Sequence, residues 1–407
     1  MVDSTPENVP PLMTTAAGAD VRTVADWEQV RRPELMELFR RDYFGRRPVQ
    51  RPEGLSFELL DSGKFVLAGH ALRQRVKISW QGTVKPGSFT ATAYFPLVAR
   101  PVPVFVYANL QFPKYAFDLD VKGGGPEFFP VDLIVSRGYG AVIYEVGDVQ
   151  PDCPKVKMGE VGLYSTYSTE SKRPDDAWGC ASMWSWAASR ILDWLETVPR
   201  ADARRVALVG HSRGGKTALW GAAEDPRFAM ACSNDSGTGG ARLTHLESPG
   251  ACPLALLSND YHGIWFAPNI RKFAGRDLTA PLDMHMLVAL IAPRLVCIAS
   301  ATKDVWSAPR GEYWSARLAS PAWEVYGRRG LVTDGFPRPD TAQQDGCVSY
   351  HLRSGEHRIL RADWVRYLDF ADRHGWKGEE ILSRVVGHST PLRGIERPTT
   401  ASGHLGD

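Results

Sequence analysis

The sequence predicts an α/β fold, a three-layer sandwich built around a mostly parallel central sheet. Three observations carry this. Strand-length apolar runs lie close together early in the chain, and later ones alternate with stretches of helical spacing. The apolar run Val206-Ala-Leu-Val enters a glycine-rich turn that leads directly into a helix-forming segment. A length of 407 residues with 43% hydrophobic content supports one large core, with no internal repeat or linker between domains.

Residues 1–25 carry Pro, Thr and Ala without periodicity and read as a loosely attached N-terminal arm. From Trp27 to Phe44, the residues Trp27, Val30, Leu35, Leu38, Phe39 and Tyr43 recur at helical spacing, and Gly45 ends the run. Strands over Phe65–Leu67, Arg75–Trp80, Phe89–Phe95 and Val102–Tyr107 follow closely enough to pair antiparallel. Strand–helix alternation then sets in: a strand over Gly140–Tyr144, an amphipathic helix over Asp175–Thr197, a strand over Val206–Val209 and a helix from Gly215. Further strands are expected over Phe228–Ser233, 295–300 and 348–352, with a closing helix near Ala362. The stretches 153–173, 241–282 and 329–347 read as insertions that shape a cleft. Residues 26–386 thus form a single catalytic domain, and the polar residues 387–407 a tail.

The net charge of +2 and the lack of basic clusters give no reason to expect nucleic acid or a membrane surface as partner. No run of eighteen apolar residues is present, which excludes a transmembrane helix. The start, Met1-Val-Asp-Ser-Thr-Pro, lacks the basic-then-apolar pattern of a secretory leader. Six cysteines with no C-x-x-C spacing argue against zinc. Cys232 and Cys297 sit in strand-like runs as small buried hydrophobes, whereas disulfide pairing stays open for Cys153, Cys252 and Cys347 in loop-like sequence. Most of the thirteen tryptophans belong to the core, and a few exposed ones would suit stacking on sugar rings.

Two motifs overlap at the glycine-rich turn. Gly210-His-Ser-Arg-Gly matches G-x-S-x-G, a nucleophile elbow that lifts a serine hydroxyl above a sheet. Residues 210–217 also match G-x-x-x-x-G-K-[ST], a phosphate-cradling P-loop that would make the chain a nucleotide-binding protein. The elbow requires an acid and then a histidine downstream, and both are found. Asp304 follows the strand-like run from Leu295, and His357 lies in Ser354-Gly-Glu-His between a late strand and the closing helix. A P-loop belongs on an early strand, not past mid-chain. The elbow reading therefore leads: an α/β-hydrolase with Ser212 as nucleophile, His357 as base and an aspartate to orient it. Two aspartates compete, Asp304 and Asp235, the latter in Ser233-Asn-Asp-Ser-Gly-Thr-Gly-Gly after the next strand. Asp235 reads equally well as a turn residue. His285 lies in a helical apolar pattern and is expected to be a hydrogen-bonded core residue, while His211 is expected to point away from the site.

Gly210-His-Ser-Arg-Gly-Gly-Lys followed by Ser236-Gly-Thr-Gly-Gly resembles the bacterial branch of the glucuronoyl esterases, carbohydrate esterase family fifteen. The run Asp283-Met-His-Met-Leu-Val-Ala-Leu-Ile-Ala-Pro-Arg and the Ser354-Gly pair with His357 are similar to this group too, so the likeness spans about Trp27 to His374. It implies a serine esterase that cleaves esters of (4-O-methyl)glucuronic acid on xylan, including links to lignin alcohols, without cofactor or metal. It also implies roles: Arg213 at the oxyanion through its N–H and guanidinium, Lys216 on sugar hydroxyls, and Trp306 beside the sugar. A secreted or periplasmic monomer acting on polysaccharide is the corresponding expectation. The chain departs from the pattern in two places. His211 and Arg358 stand where fungal members carry a disulfide-forming cysteine pair. The glutamate before a Trp-Phe pair is unmatched at Trp265-Phe266, so either His262 takes its place or Glu247 reaches in from an earlier loop. An acetylxylan esterase or general carboxylester hydrolase is the alternative activity, and a non-catalytic carbohydrate-binding protein a remote one.

Overall fold

A computed structural model describes residues 6–376, apart from 62, 111–125 and 171. Eleven strands form one sheet: β1 Ser56–Leu59, β2 Lys64–Val66, β3 Ala71–Gln81, β4 Pro86–Pro96, β5 Val102–Asn109, β6 Gly140–Glu145, β7 Ala201–His211, β8 Met230–Asn234, β9 Leu295–Ala301, β10 Thr341–Gln343 and β11 Val348–Arg353. Their order is β1-β3-β4-β6-β5-β7-β8-β9-β11-β10, with β2 also on β3. The strands from β6 through β11 run parallel, and β1 to β4 and β10 are antiparallel to their neighbours. This is the α/β-hydrolase arrangement, with its antiparallel opening in β1 to β4; the strand over Val102–Tyr107, expected to pair antiparallel with them, instead crosses past β6 and lies parallel between β6 and β7.

Side-chain alternation shows how the sheet is covered. Leu208 of β7 packs under Gly221 of the helix Arg213–Glu224, and its neighbour in register on β5 is Val106. Phe105 and Tyr107 therefore face the other way, where they meet Trp364 of the helix Arg361–Arg373 and Phe129. The helix Cys180–Leu195 is buried along its whole length and packs on the helix Arg213–Glu224. Its polar residues Ser182, Ser185, Ser189, Arg190 and Asp193 are buried as well, with Arg190 and Asp193 paired at 2.6 Å, so it fills space between layers instead of covering a surface.

Several boundaries moved, for local reasons. That helix begins at Cys180 instead of Asp175, because Ala177 bridges to Arg46 and a Cβ on Gly179 would strike the Trp265 carbonyl. The helix after β7 starts at Arg213, two residues early, and β7 itself extends to His211. The N-terminal helix runs from Val24 to Asp42 with one π turn over Trp27–Arg31.

The expectation of a loosely attached arm does not hold for the described N-terminal residues. Leu12 and Val21 are buried. The Arg31 guanidinium donates to the carbonyls of Pro11 and Leu12 at 2.8 and 2.9 Å, and His285 Nε2 lies 3.0 Å from the Pro10 carbonyl oxygen. Composition gave no sign of these bonds because their donors lie far along the chain. The tail 387–407 lies outside the described residues. Among those described, no helix is long and apolar enough to cross a membrane.

Candidate active site

The site sits at the carboxyl ends of β7, β8, β9 and β11. At the end of β7 the chain turns at Ser212, whose φ of 55° and ψ of −121° are costly for a residue with a Cβ. Two local features hold the turn. The Ser212 N–H donates to the Asn234 carbonyl at 2.8 Å, and a Cβ on Gly210 would collide with the Gly214 carbonyl. Only glycine fits there. The turn delivers Ser212 to the start of a twelve-residue helix, where the first backbone N–H groups have no partner within the helix.

His357 and Asp304 meet directly: Nδ1 lies 2.6 Å from Oδ2. Burial works against the Asp304 charge, but the bond to His357 and those to Ser307 hold its carboxyl below the ordinary 3.8. Asp235 lies in the same cluster, with one carboxylate oxygen, one Asp304 oxygen and one His357 nitrogen all within 4.8 Å of one another. Neither Asp235 oxygen has a hydrogen-bond partner, and the side chain is 1% exposed. Burial, reinforced by Glu312, Asp304 and Asp363, pushes its pKa well above the carboxylate range. The competition between the two aspartates thus has a geometric answer: Asp304 is the acid bonded to His357.

His211 does not point away. Its ring lies 4.4 Å from that of His357, and its Nδ1 is 2.6 Å from Asn234 Oδ1. Strand alternation separates neighbours only while the backbone stays extended, and the Ser212 turn ends it. Burial and the His357 charge push His211 down to about 3, so this imidazole is neutral.

The far wall joins loop residues to Arg213, the first residue of the helix after β7. Arg213 Nε is 2.9 Å from Asp152 Oδ2, its guanidinium lies 5.0 Å from the centre of the Trp265 ring, and Trp265 Nε1 donates to Asp152 Oδ1 at 2.7 Å. His262 packs edge-on against Trp265 at 4.9 Å, and its pKa is lowered by burial and by the charges of Arg213 and Lys216. His262 therefore belongs to the wall. Glu247 is exposed and forms no hydrogen bond or ion pair with these residues. Trp306, on the loop that carries Asp304, is 49% exposed, and the other twelve tryptophans, all within the described residues, are buried.

Lys216 departs from the expectation of a cleft-facing amine. It is 6% exposed, and its Nζ donates to the carbonyls of Ser236 and Thr238, the latter at 2.8 Å. Burial pushes it down to about 8. The amine ties down the glycine-rich 236–240 turn, which also removes the P-loop reading, since that lysine must reach phosphate. Glu312 supports the same turn from below: it accepts from Ser300 Oγ, Ser236 Oγ and the Gly237 N–H, and burial pushes it up to about 7.

Sequence reasoning missed Asp152, Glu312 and Arg353. Only Arg353 carried a signal, as a charged residue between an apolar strand and the histidine loop. All six cysteines are free.

The profile of the family described as "Glucuronyl esterase, fungi" matches residues 83–327. A carbohydrate esterase from an unknown prokaryotic organism is 30% identical over 399 residues, which span 91% of this chain and 90% of that one. The solved glucuronoyl esterase from Solibacter usitatus aligns with a TM-score of 0.78 at 30% identity, covering 89% of this chain and 97% of its own. A structure titled as a promiscuous CE15 esterase from the marine bacterial metagenome gives a TM-score of 0.76 at 29% identity, over 90% and 96% of the two chains. Sheet order, elbow and these likenesses agree: the chain belongs to the glucuronoyl esterase family, carboxylic ester hydrolases of the α/β-hydrolase fold.

Proposed function

We propose that this protein hydrolyses esters of (4-O-methyl)glucuronic acid in xylan, with Ser212, His357 and Asp304 as its catalytic triad. The observation that carries the reading is the 2.6 Å contact between His357 Nδ1 and Asp304 Oδ2 beside the Ser212 elbow. His357 takes the Ser212 proton as the hydroxyl attacks the ester carbonyl, and Asp304 fixes the tautomer and stabilises the imidazolium. The carbonyl oxygen gains charge, which the Arg213 N–H at the helix start receives. Expulsion of the alcohol, protonated by His357, leaves an acyl-Ser212 that water then cleaves by the same acid–base exchange.

Recognition of the uronate sugar falls to the loop wall. Trp306 offers an exposed face to a sugar ring, and the Arg213 guanidinium, restrained by Asp152 and Trp265, brings positive charge to the wall. Lys216 acts here by holding the 236–240 turn. The protein works as a secreted or periplasmic monomer, with residues 26–386 as one catalytic domain.

A broader esterase activity is the second reading, favoured by His262 standing at the wall in place of an acid and by the relative described as a promiscuous esterase. Parallel assays of a benzyl glucuronate ester, acetylated xylan and an aryl acetate separate the two. A kcat/KM at least tenfold higher for the glucuronate ester is expected. Equal values for all three, or a preference for acetyl groups, would overturn the uronate reading.

A further inference from the structure

We propose that Arg353 is a positioning residue for the reaction: its guanidinium shapes the loop that presents His357 and keeps the second carboxylate, Asp235, in register with it. The inference rests on His357 being the base. The loop 354–358 has no regular structure, and Ser354, Glu356, His357 and Arg358 are all exposed, so packing does not fix it. A guanidinium does. Arg353 Nη1 donates to the Ser354 carbonyl at 2.9 Å, and Nη2 donates to the carbonyls of Glu356 and Arg358 at 2.8 and 2.6 Å. Those last two carbonyls belong to the residues on either side of His357, so one nitrogen holds the chain just before and just after it and restrains the direction of the imidazole.

The clamp is itself anchored. Arg353 is 7% exposed, and its Nε donates to Asp363 Oδ2 at 3.2 Å. Asp363 is held in turn by His351 Nε2 at 2.9 Å and by the Leu360 N–H at 2.8 Å, where the closing helix begins. On its other side Nη2 lies 3.7 Å from Asp235 Oδ2. Burial raises the Asp235 carboxyl, and Arg353 is the arginine beside it whose charge opposes that rise. A planar fork can serve several carbonyls and a carboxylate at once, which a lysine ammonium on a flexible stem does not reproduce.

A pocket of about 80 Å³ beside Arg353, bordered by Asp340, His351, Asp363 and Arg366, provides the test. Its rim includes the exposed Asp340 and Thr341, so a small cation can enter from solvent. Arg353→Ala, checked for its fold by circular dichroism, is expected to lose roughly 100-fold in kcat on both a glucuronate ester and an aryl acetate. KM should stay within about threefold, because the residue sets the base and does not touch the sugar. Millimolar methylguanidinium should restore kcat by about tenfold or more, and sodium chloride at the same ionic strength should not. Arg353→Lys, which keeps charge and stem, should lose about tenfold in kcat, and it carries the test alone if the alanine variant does not fold. A kcat within threefold of wild type in either folded variant, a loss confined to KM, or equal responses to methylguanidinium and salt would overturn the proposal. Failure of the triad reading would show separately, as a Ser212→Ala variant that still turns over at the wild-type rate.

Discussion

The two sides of the cleft are built differently. On one side, Ser212, Asp304 and His357 follow the ends of β7, β9 and β11, strands locked through the pairs Gly210↔Ser233, Asn234↔Ala299 and His351↔Ala299. Their relative positions are consequences of parallel register. On the other side, Asp152, His262 and Trp265 come from segments remote in sequence and are held by side-chain contacts to one another and to the guanidinium of Arg213, the residue after Ser212. A site of this kind keeps its chemistry on the scaffold and its selectivity on exchangeable loops. Substitutions on the strand-end side should therefore damage every substrate alike, and those on the loop side should discriminate between substrates.

The sharpest break is Ser212→Ala, which should cut turnover on all esters by roughly 10³ or more while leaving substrate binding intact, as read from kcat and from calorimetry on the inactive variant. Next comes the pair of acids. Asp304→Asn should cost about a hundredfold in kcat and Asp235→Asn less, and the reverse order in single-mutant kinetics would move the orienting role to Asp235. Lys216→Met tests the seam between the two sides. With two carbonyls left unpaired, stability should fall by about 1–3 kcal/mol in urea unfolding, and both glucuronate and aryl esters should suffer together. A loss limited to the glucuronate ester would restore Lys216 to direct sugar contact.

Glu312 adds a pH signature at the same seam. Its folded pKa of about 7 lies above the ordinary 4.5, so between these values the folded protein binds more protons than the unfolded chain. The associated stability is fully present below about pH 4.5 and is lost as pH rises through 7. Glu312→Gln should remove that loss, worth on the order of 3 kcal/mol, when stabilities at pH 5 and pH 8 are compared with wild type. The smallest effect is expected at the rim. Trp306→Ala should raise KM for glucuronoxylan esters by about threefold to tenfold and leave an aryl acetate unchanged, and equal changes on both would remove Trp306 from sugar binding.

The same division governs what could be read from sequence. The elbow, the order of acid and histidine and most strands were legible, because backbone-level constraints leave compositional marks such as Gly210 and Gly214 around Ser212 or the apolar run before Asp304. The edge strands β1 and β10 were not, since Ser56–Leu59 and Thr341–Gln343 are short and largely solvent-facing. Contacts such as Arg213 with Asp152, or Lys216 with the 236–238 carbonyls, join segments with no shared pattern. An arginine or lysine looks the same in sequence whether it faces solvent or is buried against a carbonyl. The arm failed for that reason too: Arg31 gave no hint that it would hold Pro11 and Leu12.

Between the elbow and the histidine loop this chain has His211 against His357 at 4.4 Å, and its six thiols are free, two of which, Cys232 and Cys297, face each other across β8 and β9. The join is a contact between rings, so its integrity is indifferent to the electron supply of the surroundings. Synthesis in a glutathione-rich cytosol should yield the same active protein as an oxidising compartment, and dithiothreitol should leave its rate and its melting curve where they were. The catalytic loop would then loosen with heat, on a thermal scale, where a cystine-bridged loop would loosen with reductant.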